Sequence, residues 1–193
     1  MSKIKLSIEL IPKTCHFSNV RTSIKKEEWD KIRFLSYENA KHKCEICGNN
    51  GLKQGFKHRI ECHEIWHYDD TTKTQKLIGL ISLCPICHQV KHIGRALAMG
   101  KKSIVYNQLA KVNKWTLEEV EKHIAESFEL YKERSQHDWS LDISILSEEP
   151  YNLKLKKTKS RVFKVKKYKK KRKTKTVAKK TTVKNKRPKR KIK

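Results

Sequence analysis

Four of the chain's six cysteines stand in two C-x-x-C turns, Cys44-Glu45-Ile46-Cys47 and Cys84-Pro85-Ile86-Cys87. Each turn aims two sulfurs at one point, and two such turns supply the four thiolates of a closed tetrahedral zinc site. Cys44, Cys47, Cys84 and Cys87 are therefore the expected ligands of a structural Zn2+. This constrains the fold strongly, because the chain between the turns must leave one point and return to it. Thirty-six residues separate Cys47 from Cys84, more than the roughly 15–20 of a simple zinc ribbon. A substructure is expected inside the staple. Cys15 is expected to be a small buried side chain, and Cys62 is left over.

The residues inside the staple supply that substructure. "FKHRIECHEIW" (Phe56 to Trp66) reads as a strand, with Ile60, Cys62 and Glu64 on one face and Glu61, His63 and Ile65 on the other. "DDTTKT" reads as a turn and "QKLIGLISL" as a second strand, which makes a hairpin. Pro85 suits the first turn of a helix, and a helix is expected from Pro85 to about Ala98. His88 follows Cys87 directly, so a hairpin packed on this helix brings His63 and His88 to one face. His92 lies four residues after His88 on the same side of the helix, where it reads as a third metal-facing group or, the favoured expectation, a residue packing on the zinc knuckle. His58, His67, His123 and His137 read as surface or hydrogen-bonded residues.

Around this centre, Ile4, Leu6, Ile8 and Leu10 alternate with Lys5, Ser7 and Glu9, the pattern of a half-buried strand ended by Pro12. Trp29, Ile32, Phe34 and Leu35 give near-helical spacing over about Lys25–Ala40. Ile104–Val112 reads as a short helix. Thr116 and Glu119 form a capping-box pair opening a helix to about Arg134, with Val120, Ile124 and Phe128 as its apolar stripe. "WSLDISIL" alternates again and is expected to pair with the N-terminal strand.

Charge divides the chain into two parts. Of its 47 Lys and Arg, 23 lie between Lys154 and Lys193, where there is no Asp or Glu; residues 1–153 then hold 24 basic and 20 acidic residues. A near-balanced domain (1–150) is expected to precede a disordered polycationic tail (151–193). The tail attracts polyanions by counterion release, with little sequence preference. "KRPKRK" also has the composition of a nuclear-import signal. The sequence opens without the pattern of a secretory signal. Its longest apolar stretch, Leu77–Cys87, falls short of the roughly 20 residues a membrane span needs. The expectation is an intracellular protein, in cytoplasm, nucleoid or nucleus, with reduced thiols and no membrane partner.

The order C-x-x-C, "ECHE", then "LCPICHQVKH" resembles the HNH endonuclease family in its zinc-stapled, four-cysteine form. The resemblance covers about Lys43–His92 and implies an α+β chain with a ββα-metal core (43–98), flanked by accessory helices and a terminal strand pair. It further implies a metal-dependent hydrolase of phosphodiester bonds in DNA, using Mg2+ or another divalent cation, in some members as a homodimer. Carried onto "ECHEI", the family pattern makes His63 a cation ligand and Glu64 the base. Slid by one residue, it makes His63 the base and Cys62 the ligand. His88 matches the helix ligand in either register. The family's middle asparagine falls at Gly79. The rival expectations are a zinc-stapled module that binds nucleic acid without cutting it, and a protein that compacts DNA or binds ribosomal RNA through its tail.

Overall fold

The computed structural model describes residues 4–155; the basic tail beyond Leu155 lies outside the described residues. These form a mixed α+β body of one three-stranded sheet and six α-helices. The helices are α1 (Val20–Ser23), α2 (Lys26–Asn39), α3 (Pro85–Lys91), α4 (Ile93–Ala98), α5 (Lys102–Asn113) and α6 (Leu117–Arg134). The strands are β1 (Glu61–Asp69), β2 (Thr74–Leu83) and β3 (Ser140–Asp142). Among the described residues, no helix is long and apolar enough to cross a membrane.

The hairpin inside the staple forms as its alternation requires. β1 and β2 run antiparallel from Glu61↔Leu83 to Asp69↔Thr74, with an irregularity between Ile65 and Trp66. Asp69 closes the turn: its carboxylate accepts from the Thr71 and Thr72 amides and the Thr72 hydroxyl. The knuckle before β1 is tight at Gly51. A Cβ there would lie 2.1 Å from the His58 carbonyl oxygen and 2.9 Å from the Pro85 ring. Gly51→Ala is therefore expected to cost about 1–3 kcal/mol in chemical denaturation, although its backbone φ of −66° suits any residue. A melting curve superimposable on wild type would contradict the close approach.

Two expected strands and one expected helix come out differently. The N-terminal segment buries Leu6 and Ile8 as its alternation predicts, whereas Ile4 of the same face is exposed and Leu10 half-buried, and the segment joins no sheet. Its backbone is held by side chains instead. The Lys5 and Leu6 amides donate to Asn113 Oδ1, Asn113 Nδ2 donates back to the Leu6 carbonyl, and the Ile8 amide donates to His123 Nε2. With those groups satisfied, no ladder is needed. "WSLDISIL" accordingly pairs elsewhere. β3 adds in parallel to β2 (Thr74↔Ser140 to Lys76↔Asp142), and the chain then turns into a 3-10 segment at Ser144–Ser147.

The helix expected from Pro85 to Ala98 is two helices broken at His92, whose ψ is +44°. In an unbroken helix the Lys91 carbonyl would accept the Arg95 amide. Here it accepts the Glu9 amide at 3.2 Å, and the Arg95 amide turns to the His92 carbonyl at 3.0 Å. The N-terminal segment thus splits the helix by taking one of its acceptors.

Two cores result. The larger joins Leu6 and Ile8 to Leu83, Val90, Ile93, Val105, Leu109, Val120 and the cysteines of the staple. The second joins Val20 and Ile32 to Trp66 and Leu77 in the part of the hairpin nearer its turn, and to Leu146 and Leu153. Leu153 is buried and its amide donates to the Leu146 carbonyl. The packed body therefore runs past Pro150, where the sequence suggested a boundary. α6 starts as its capping box predicts: Thr116 Oγ1 accepts the Glu119 amide and Glu119 accepts the Thr116 amide.

Candidate metal centres

The four cysteines of the staple meet at one point, where α3 begins and the Cys44–Cys47 knuckle folds against it. Their sulfurs lie 3.6–3.9 Å apart. A tetrahedron of Zn–S bonds near 2.3 Å has S···S edges of about 3.8 Å, so the spacing fits a structural metal such as zinc. The surroundings fit as well. Gln54 Nε2 donates to Cys84 Sγ at 3.3 Å, and Gln108 Nε2 donates to Cys87 Sγ at 3.1 Å. Side-chain amides aimed at sulfur favour thiolate, and the mutual contacts of the thiols pull Cys44 down while pushing Cys47 and Cys87 up, so the set titrates as a unit. The sequence pattern found the cysteines. The two glutamines lie outside any motif and only the fold brings them in. Cys15 is buried, as expected, with its thiol pushed up to about 11 by desolvation.

A second cluster stands beside the first. β1 places His63, and α3 with its break places His88 and His92. One ring nitrogen from each lies within 4.8 Å of those of the other two. The ring centroids are 5.3 Å apart for His63–His88, 5.0 Å for His63–His92 and 4.7 Å for His88–His92. His63 and His88 converge as the hairpin-on-helix reading requires. His92, four residues after His88 on the same side of α3, brings its ring into the cluster as a third member. Desolvation, then the neighbouring His88 and His63, push the His92 imidazole down to about 3. A neutral imidazole with a lone pair is the form that binds cations.

Carboxylates back two of the three rings. Glu9 Oε2 lies 3.0 Å from His63 Nε2, and its other oxygen meets Lys91 Nζ. Glu61 is in close contact with His88 Nδ1 and lies 2.8 Å from His58 Nε2. Burial alone would raise both acids, but the Glu9 carboxyl is held below its usual range by His63 and Lys91, and that of Glu61 by His88 and His58. Imidazoles oriented by carboxylates are typical of metal sites. His88 and His92 line a cleft of about 200 Å³ together with Glu61, Gln89, Arg95 and Lys101, while His63 is buried beside Glu9. Glu9 escaped sequence reasoning because it lies 54 positions from His63, within a run whose alternation pointed only to a strand.

The structure does not bring Glu64 to this cluster. Neighbours on a strand face opposite ways, and the Glu64 carboxylate accepts the Val20 amide at 2.8 Å beside the second core. Cys62 is likewise no ligand here: it sits by Ser36 with its thiol pushed up to about 12 by burial. Gly79 pairs with Ile65, and among the described residues a side chain added there would touch Ile65 alone.

Burial raises the Glu64 carboxyl to about 6 from 4.5, against the pull of the Val20 and Arg21 backbone. An acid with a raised folded-state pKa binds an extra proton when folded, so it costs stability once pH rises through that value. Glu64→Gln is thus expected to be more stable than wild type by about 2 kcal/mol at about pH 8, the gap narrowing as pH falls through 6. Urea denaturation at several pH values measures this. A gap independent of pH would contradict the assignment.

No protein-family model, no curated protein and no solved structure matches this chain.

Proposed function

We propose that the chain is a metal-dependent endonuclease of the HNH type, with a ββα-metal core formed by β1, β2 and α3, hydrolysing phosphodiester bonds in DNA. The observation that carries this reading is the meeting of His63, His88 and His92 at the junction of a hairpin and a helix clamped by four cysteines. Three convergent imidazoles beside an open cleft are a hydrolytic-site pattern. In this reading His63, His88 and His92 hold the cation, and Glu61 orients His88. A divalent cation there supplies Lewis-acid polarisation of a phosphoryl oxygen and stabilises charge on the leaving oxygen. In this reading Arg95 and Lys101, which line the cleft, receive phosphate oxygens. The 23 cations of the C-terminal segment add salt-sensitive, sequence-independent affinity for nucleic acid.

The test is conversion of supercoiled plasmid to nicked circles by the full chain with Mg2+ or Mn2+, with and without chelator. A chain ended after Leu155 is expected to cut more weakly, its deficit growing with salt. Retardation of DNA without cleavage under either cation would replace the enzyme by a zinc-stapled binding module. Gly79 at the family's asparagine position and Glu64 on the far side of β1 are the observations that favour that second reading.

A further inference from the structure

Lys91 is among the most deeply buried charged groups described, with its side chain 6% exposed. Among the described residues, its Nζ meets Glu9 Oε1 and Ser7 Oγ. Both partners belong to the N-terminal segment, well outside the stapled core in sequence. The segment is tied here twice, because the Glu9 amide also donates to the Lys91 carbonyl. A buried ammonium needs a full opposite charge nearby, and Glu9 is the carboxylate provided. The second oxygen of that carboxylate lies 3.0 Å from Nε2 of His63, whose side chain is 4% exposed.

A carboxylate can only accept hydrogen bonds. In the neutral ring, the His63 nitrogen that faces it therefore carries the proton and the lone pair resides on the other nitrogen. We propose that Glu9, fixed by Lys91, is the positioning residue of His63, holding the ring as the Nε2–H tautomer and leaving Nδ1 to take the cation. The cation half of this statement rests on the site proposed above; the tautomer half does not. The arrangement gives the N-terminal segment a role that packing alone would not require. It delivers an acid to the one imidazole of the cluster that lies on a strand.

The isosteric change Glu9→Gln tests this without altering volume. Lys91 requires an acceptor, so the amide oxygen is drawn to it and the amide NH2 is left against Nε2. Nε2 must then accept, and the proton moves to Nδ1. The readout is a long-range proton–nitrogen correlation spectrum of the zinc-loaded full chain, labelled at histidine, with His63 assigned by its loss in His63→Gln. The expected wild-type pattern is protonated Nε2 and bare Nδ1. In Glu9→Gln the pattern inverts, and calorimetric affinity for Mn2+ falls by about 10–100-fold. In Glu9→Gln with Lys91→Met the amide is free to turn back, and both Nε2–H and affinity recover.

A proton on Nδ1 in wild type overturns the proposal, whether or not either variant folds. So does a Glu9→Gln chain that keeps the Nε2–H pattern and binds Mn2+ within about twofold of wild type. A lower melting temperature with an unchanged tautomer reduces Glu9 to a packing residue and also overturns it. If wild type binds no Mn2+ at the imidazoles, the nuclease reading falls, while the wild-type tautomer still decides the role of Glu9.

Discussion

Replacing His63, His88 or His92 by alanine is expected to reduce plasmid nicking below about a hundredth of the wild-type rate, while each variant keeps one zinc per chain. The expectation follows from the separation of the two clusters. The four cysteines form one cluster and the three imidazoles another, with His88 and His92 lining a cleft and His63 buried beside Glu9. On the proposed reading, removal of an imidazole takes a ligand from the cation and leaves the four thiols in place. The three variants are expected to behave alike, including His92→Ala, because all three rings contribute to one point. Glu64→Gln is the contrasting control, expected to cut within about twofold of wild type because its carboxylate lies on the other face of β1. Unimpaired cleavage in the histidine variants, or its loss in Glu64→Gln alone, would return the base to Glu64 and remove the cluster from the reaction.

The largest effect on folding is expected from the cysteines. Cys44→Ser or Cys84→Ser should eliminate bound zinc and abolish cooperative unfolding of the body. Structural zinc contributes roughly 10–16 kcal/mol to folding in small sites, against a total stability of about 5–15 kcal/mol for most domains. Loss of one thiolate from this ligand set is therefore not offset elsewhere. The knuckle, the start of α3 and the larger core share the cysteines, so the damage spreads beyond the loop. Metal analysis with far-ultraviolet circular dichroism decides the matter. Native zinc content and an unchanged melting transition in both variants would show that the four thiols only pack together.

The two sets of variants make different demands on the same molecule. Cysteine variants lose metal and fold together, whereas histidine variants lose catalysis with the fold kept. A chain that loses both in every case would not have two separate sites.

The sequence by itself determined the local units. Paired C-x-x-C turns named the thiolates, alternation named β1 and β2, and the Thr116–Glu119 capping box named the start of α6. Each is written within a few neighbouring residues, where spacing and side-chain type carry the geometry. It also determined that Leu6 and Ile8 would be buried. What it did not contain was the partner of each exposed acceptor. Alternation in the N-terminal segment says which side chains go inside, but not whether Asn113 and His123 or a neighbouring strand will bind the backbone. The Lys91 carbonyl, taken by Glu9, broke a helix that local propensity continued. The one-residue step between His63 and Glu64, harmless in a sequence pattern, put them on opposite faces of a strand. Only tertiary structure decided which acid backs which imidazole, because that choice depends on contacts between residues that are distant in the chain and unrelated in local pattern.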